Sequence, residues 1–390
     1  MKNHIVCLST TNYHPLPTRK QNVMSRLRNA EILYFDPPVS LIAPLKDKKC
    51  RERLSMYKRA GEKPQDNITV YALPPVLPFF NKFRWVNRLN QKRQARFVRE
   101  KMKAHGFGDE TVLWCYSPSS ADIVPHVPHA KLVYDCVDRH SAYQGHITPA
   151  VVDGMERDLA TGADQVFSTA VGLDETLKQY NPSAHMIPNG AAYEIFSRVQ
   201  TEKDTLTCPE KLKGLPHPIY GFVGMLQECI DYDALEALAK ARPDATIFCI
   251  GRTLPGVSLD RFKSYPNVVF NGLVPQPELP AYIAQFDVCL NVFRAGALSK
   301  DVSPLKFYEY LATGKPIVST REPLQVEDFR DVVYIAQDSA EFLHLCDVAA
   351  QEHDPDKVAR RLAYGAQCSW TERVHQMEET LYRTQILQTD

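Results

Sequence analysis

The sequence predicts an α/β chain of two doubly wound domains, each built on a parallel sheet. Three observations predict it. Short β-branched apolar runs alternate with helical patterns through most of the 390 residues, which is the signature of parallel strands covered on both faces by crossover helices. The alternation breaks once, after Asn189-Gly190, in a polar stretch rich in Lys, Glu and Pro, and restarts at Ile219. The length itself exceeds one core, since domains hold about 100–200 residues.

In the first half, strands are expected at 4–10, 32–36, 68–73, 111–116, 131–138, 165–169 and 185–188, with helical patterns at 19–27, 84–103 and 173–180. In the second half, strands are expected at 220–225, 246–251, 268–273, 288–293, 316–320 and 332–336. Helices are expected there at 232–241, 278–285, 304–313 and 340–351. The domains are therefore placed at 1–196 and 219–367, joined by a linker over 197–218. A terminal helix at 368–390, capped by Ser369 or Thr371, is expected to pack back toward the first domain. Open parallel sheets bind ligands outside the carboxyl ends of their strands, so function is expected in strand-to-helix loops facing a cleft between the two domains.

Composition narrows the function classes. Lys+Arg and Asp+Glu balance at 46 each, which argues against a chain built as a whole for a polyanion. No apolar run approaches the roughly 18 residues that span a bilayer, and the apolar start Ile5–Leu8 is too short for a leader. Ten cysteines are scattered without a CxxC pair, as expected of free thiols in a reducing cytoplasm.

The most informative segment is Ser303-Pro-Leu-Lys-Phe-Tyr-Glu-Tyr-Leu-Ala-Thr-Gly-Lys-Pro316. Ser303 is expected to cap a helix with Pro304 in its first position, and Gly314 to end it in a left-handed conformation. The free N–H groups of the first turn form an anion site. Lys306 adds a full charge in that turn, which suits a diphosphate. Glu309, three residues on, shares its face and suits the paired hydroxyls of a ribose.

Pro304-Leu305-Lys306-x-x-Glu309-Tyr-Leu-Ala-x-Gly-Lys-Pro resembles the donor-binding helix of GT-B-fold glycosyltransferases, which consist of two Rossmann-like domains. The likeness extends to Tyr220-Gly-Phe-Val-Gly224, Phe248-Cys-Ile-Gly-Arg252, Val269–Val274 and Asp287–Arg294. Thr18-Arg-Lys-Gln21, Asp36–Pro44 and Tyr134-Asp-Cys-Val-Asp138 are similar to the bacterial cell-surface polysaccharide transferases of teichuronic-acid type. The resemblance implies an acceptor-binding first domain and a second domain that binds a nucleotide-sugar, UDP-linked by expectation, as a substrate. It implies no cofactor. Lys306 would hold diphosphate and Glu309 ribose, with Ser303, Pro304 and Leu305 opening their helix. Gly224 either lets the backbone approach the diphosphate or makes an ordinary tight turn. Arg252 and Arg294 follow strand ends and bind phosphate or face solvent. Val274 falls where the family holds the base through backbone groups. Asp301 stands where many members carry a glutamate near the donor sugar and is one methylene shorter.

Transfer also needs a group near the acceptor hydroxyl. Asp138, at the end of an acid-terminated strand, is the leading candidate base for an inverting step; a retaining step would need none. Asp135 is the alternative and His140 lies close by. A loop aspartate that caps the next segment is the competing reading of Asp138. Thr18, Arg19 and Gln21 open a helix where Arg19 would meet donor or acceptor phosphate, unless this is a solvent-exposed helix start. Asp231-Tyr-Asp233 is read as a helix cap and first-turn acid rather than a metal motif. His126 and His129 lack companions at metal spacing, so a metal-independent transferase is expected.

Residues 46–105 hold 17 Lys/Arg against 5 Asp/Glu around the apolar run Leu73–Trp85. This suits an anionic membrane surface at the inner face of the plasma membrane, or else a solvated helix whose Trp85, Val86 and Leu89 face the core. No nucleic-acid recognition module is apparent. The expected acceptor is a glycan or a lipid-linked sugar in surface polysaccharide synthesis. A sugar-nucleotide epimerase or hydrolase on the same fold, and a non-catalytic nucleotide-sugar-binding protein, are the alternatives.

Overall fold

The computed structural model describes residues 2–48, 50–143, 145–296 and 299–389. The chain forms two compact units, residues 1–188 with 374–390, and residues 189–373.

The first unit contains β1 (Asn3–Leu8), β2 (Ala30–Asp36), β3 (Glu62–Gln65), β4 (Ile68–Ala72), β5 (Val112–Cys115), β6 (Lys131–Cys136), β7 (Gln165–Ser168) and β8 (His185–Met186). Their order in the sheet is β3-β4-β2-β1-β5-β6-β7-β8. All neighbours run parallel except the β3–β4 pair at the edge. Side chains alternate between two cores. Val6, Leu33 and Leu113 join the buried cluster on one face, and Ile5, Ile32 and Trp114 the cluster on the other. Both faces are apolar, so these strands read as continuous hydrophobic runs. Val374, Met377, Leu381, Ile386 and Leu387 complete the second of these cores.

The second unit contains β9 (Ile219–Val223), β10 (Thr246–Ile250), β11 (Val268–Gly272), β12 (Val288–Asn291), β13 (Ile317–Thr320) and β14 (Tyr334–Ala336). Their order is β11-β10-β9-β12-β13-β14, all parallel. The order reverses between β9 and β12, as it does between β1 and β5 in the first unit. Such a reversal opens a crevice at the strand ends, where doubly wound sheets bind ligands.

The expected linker is not one. Residues 197–218 belong to the second unit, where short helices at Tyr193–Phe196 and Arg198–Thr201 and a turn at Glu210–Leu212 drop Phe196, Val199 and Leu212 into its core. Three anchors so widely spaced leave no helical period in the sequence. The Trp370–Arg383 helix begins with Ser369, whose hydroxyl accepts the Glu372 N–H at 3.2 Å. No helix among the described residues is long and apolar enough to cross a membrane.

Candidate functional site

In the second unit the site grows from the Leu305–Thr313 helix that follows β12. Phe307, Tyr310 and Leu311 are buried. The Tyr310 hydroxyl accepts the Val223 N–H at 2.7 Å, which fixes the helix against the end of β9. Gly314 closes the helix with φ +69°, a left-handed conformation that costs glycine little. The far end is held by the buried Arg361, which pairs with Glu352 and donates to the carbonyls of Val332 and Gly314.

The start of this helix differs from the expected cap. Pro304 occupies the cap position and Leu305 the first turn, with no side chain capping the free N–H groups. Ser303 is diverted: its hydroxyl accepts the Asn189 N–H at 3.1 Å and its carbonyl accepts the Asn189 side-chain amide at 2.8 Å. A partner 114 residues away in sequence outcompetes the local cap. The first turn is left without a side-chain cap.

Lys306 is buried at this end. Its ammonium lies over the rings of Phe222 and Phe293, 3.8 and 4.3 Å from their centroids. Burial lowers its pKa to about 7, an effect only partly offset by Cys229 and Cys249. No ion pair to Lys306 exists among the described residues. Gly224, at φ +153°, leaves the space beside it, since a Cβ there would stand 3.3 Å from the Lys306 Cδ. Gly251 is more tightly constrained, because its Cβ would fall 1.8 Å from the Gly224 carbonyl oxygen. The Gly224 N–H donates to Ile250 at 2.8 Å and the Leu226 N–H to Arg252 at 3.0 Å. The turns after β9 and β10 thus form one laced surface.

Glu309 is half-buried and accepts a hydrogen bond from the Gln276 amide at 3.2 Å. Desolvation raises its pKa to about 7 against the lowering effect of that bond. Val274 is buried two residues before Gln276. Arg252 and Arg294 are exposed, and the Arg294 N–H is held by the Cys229 carbonyl at 2.8 Å. Asp301 is buried in the short turn Ser299–Asp301 before the helix. The structure thus brings Lys306 and Gly224 together and ties the backbones of Arg252 and Arg294 to the loop after β9. Phe222, Phe293, Gly251, Gln276 and Asn189 were not singled out from sequence, and only Gly251 carried a signal, as a glycine at a strand end. Asp231 caps its helix through the Ala234 N–H, and Asp233 pairs with Arg261.

In the first unit three expectations are corrected. Arg19 does not offer its charge to a phosphate. It is 2% exposed, its Nε donates to both Asp135 oxygens at 2.9 and 3.0 Å, and its Nη1 donates to the carbonyls of Ile187 and Pro188. Asp135, fully buried at the end of β6, is consumed by the same pair and is not a free base. Gln21 is likewise spent: its oxygen accepts from the Thr18 N–H and hydroxyl, and its amide donates to the Asn12 carbonyl. The Arg19–Met24 helix spans only 6 residues, too short a stack for a strong terminal field.

Asp138 is half-buried two residues beyond the end of β6, where the Tyr143 hydroxyl donates to it at 2.8 Å. Lys20 is buried nearby, and desolvation lowers its pKa against the pull of Asp138 and Asp135. His140 is buried, with its pKa lowered to about 4 by desolvation.

Residues 232–379 match the glycosyl transferase-like family. Over 277 residues, 64% of this chain and 69% of the other, the sequence is 25% identical to the "Putative teichuronic acid biosynthesis glycosyltransferase TuaH" of Bacillus subtilis. Three solved structures superpose over nearly the whole chain. A sucrose-phosphate synthase from Thermosynechococcus elongatus gives a TM-score of 0.66 at 14% identity, covering 98% of this chain and 99% of that one. An E. coli structure described as trehalose-6-phosphate bound with UDP-2-fluoro glucose gives 0.70 at 13%, covering 99% and 100%. HepE of Anabaena, in complex with UDP and glucose, gives 0.64 at 14%, covering 98% and 99%. The fold is GT-B, and the chain is a glycosyltransferase of that class. Within it, the resemblance is to the bacterial surface-polysaccharide type.

Proposed function

We propose that this glycosyltransferase moves a sugar from a UDP-sugar to a glycan or lipid-linked acceptor in bacterial surface polysaccharide synthesis. The observation that carries the reading is Lys306, a buried cation without a counter-carboxylate among the described residues, set at the uncapped start of a helix. A diphosphate supplies the missing charge. Arg252 and Arg294 extend the positive surface, and Glu309 receives the ribose hydroxyls through its carboxylate. Val274 flanks the base and Asp301 the donor sugar. The UDP ligands of the E. coli and Anabaena structures support the choice of nucleotide, and the B. subtilis relative supports the polysaccharide role.

In the transfer, the acceptor oxygen bonds to the anomeric carbon while the bond from that carbon to the diphosphate breaks. Negative charge develops on the departing UDP. Lys306 and the first-turn N–H groups stabilise it, so the chain's own cations serve in place of a metal or cofactor. In an inverting step the acceptor's proton passes to Asp138, which the Tyr143 hydroxyl orients.

The acceptor side is read as peripheral to the cytoplasmic membrane face. Trp85 and Leu89 are 63% and 51% exposed, and Phe79 and Phe83 are also exposed. They share residues 46–105 with the basic cluster, as a surface that docks on anionic lipid does. The alternative reading, a helix whose Trp85, Val86 and Leu89 face the core, holds for Val86 alone. The deciding experiment is a thermal-shift screen with UDP, GDP and ADP and their sugars. Stabilisation by UDP is expected, and the absence of a shift with any nucleotide rejects the donor site.

A further inference from the structure

We propose that the first unit holds a pocket for an uncharged pyranose ring, between the Arg84–Ala104 helix and the carboxyl ends of β1, β2 and β5. The proposal rests on the reading of this chain as a glycosyltransferase and names the chemistry of what its first unit takes. The pocket is a cavity of about 210 Å³. Small-molecule sites more often run from about 300 Å³ upward, so it suits a single ring better than a nucleotide. Its walls carry amides and hydroxyls, among them Asn87, Gln91, Gln94, Ser117 and Ser119, together with the rings of Phe80 and Tyr143. No Lys, Arg, Asp or Glu lines it among the described residues.

Two polar atoms on these walls are buried and have no hydrogen-bond partner among the described residues: Nε2 of Gln94, a residue 2% exposed, and Nε2 of His140, a residue 9% exposed. Neighbouring amides are satisfied. Asn90 accepts from the Leu77 N–H and donates to the Leu77 carbonyl, and Asn87 donates to the Ser119 carbonyl and to Asp122. Orphaned polar atoms are costly in a native interior, so a pair lining one cavity points to a ligand. The Gln94 nitrogen is a donor. Burial keeps the His140 ring neutral near pH 7, so its Nε2 donates or accepts according to the tautomer. Hydroxyl groups both donate and accept, and the aromatic walls suit the C–H face of a ring. A phosphate or carboxylate would enter this cavity without a cation to receive it, which burial penalises.

The test is ligand-observed NMR and calorimetry on the full chain, with methyl glucoside, methyl galactoside and N-acetylglucosamine as neutral probes. Glucuronate and glucose 6-phosphate serve as charged ones. At least one neutral probe is expected to bind, with both charged probes at least tenfold weaker. Gln94→Leu and His140→Phe should each weaken the neutral probe about tenfold while UDP affinity, which also reports folding, is unchanged. Charged probes binding as well as neutral ones, or no neutral probe binding, overturns the pocket without any variant. Neutral binding that survives both substitutions overturns it as well. If UDP fails to bind the unmodified chain while neutral probes bind, the donor reading falls and the pocket stands.

Discussion

The ammonium of Lys306 sits 3.8 Å from the centroid of the Phe222 ring, inside the protein, with its pKa lowered to about 7. Aromatic faces attract a cation but do not replace the water it has lost. Lys306→Met should therefore act in opposite directions on binding and stability. Nucleotide affinity should fall about tenfold to a hundredfold, the worth of a charge-assisted hydrogen bond. The unliganded protein should gain roughly 2 kcal/mol at pH 7. The sign follows from linkage: between the folded pKa near 7 and the unfolded value near 10.4, the unfolded chain binds more protons, so wild-type stability rises with pH. The advantage of the variant should shrink toward pH 10 in thermal unfolding.

UDP binding should be greatest near pH 7. Above it, unliganded Lys306 loses its proton, so diphosphate must draw one in and affinity falls. Below it, Glu309, raised to about 7, is protonated and no longer offers a full carboxylate to hydroxyls. Calorimetry in buffers of different ionisation enthalpy should show proton uptake at pH 8 and release at pH 6. Glu309→Gln should remove the acidic limb and leave the basic one.

Gly251→Ala should damage the site without touching a ligand. The added Cβ meets the Gly224 carbonyl at 1.8 Å, and the residue sits at φ +150°, so the backbone must move. A loss of roughly 1–3 kcal/mol in denaturant unfolding is expected, together with weaker UDP binding.

The two acids of β6 and its end should separate cleanly. Asp135→Ala strands the buried Arg19 charge and should cost about 3–5 kcal/mol of stability. Asp138→Asn should leave the melting temperature within a few degrees, preserve UDP binding and abolish transfer. Turnover by Asp138→Asn would remove it as the base.

Trp85→Ser with Leu89→Ser should leave stability near wild type, since both side chains are exposed, yet reduce sedimentation with anionic liposomes. Undiminished sedimentation would reject this surface as the docking face.

The sequence made the sheets and the donor helix legible because their signals are local. The continuous apolar runs of the strands, the spacing of Lys306 and Glu309, and a glycine before Lys-Pro are each confined to a short stretch of chain. What it concealed was long-range. Ser303 looked like a cap because its competitor, Asn189, is 114 residues away. Arg19 and Asp135 looked like charges facing a substrate because 116 residues separate a pair that satisfies itself. The Arg84–Ala104 helix misled for a different reason. Its buried side carries Asn87, Asn90, Gln91 and Gln94, so apolarity did not mark the inward face. Those same amides line the proposed pocket.

The core of the first unit is closed by Val374, Met377 and Leu381, while Asn3 exchanges hydrogen bonds with Gln388. On the ribosome, domains ordinarily fold in the order in which they are made. Here the earlier unit must wait with one hydrophobic face open until the later one has been synthesised. The second unit, complete in itself over residues 189–373, is free to fold first. A nascent chain stalled after residue 188 should therefore be a chaperone client rather than a finished domain.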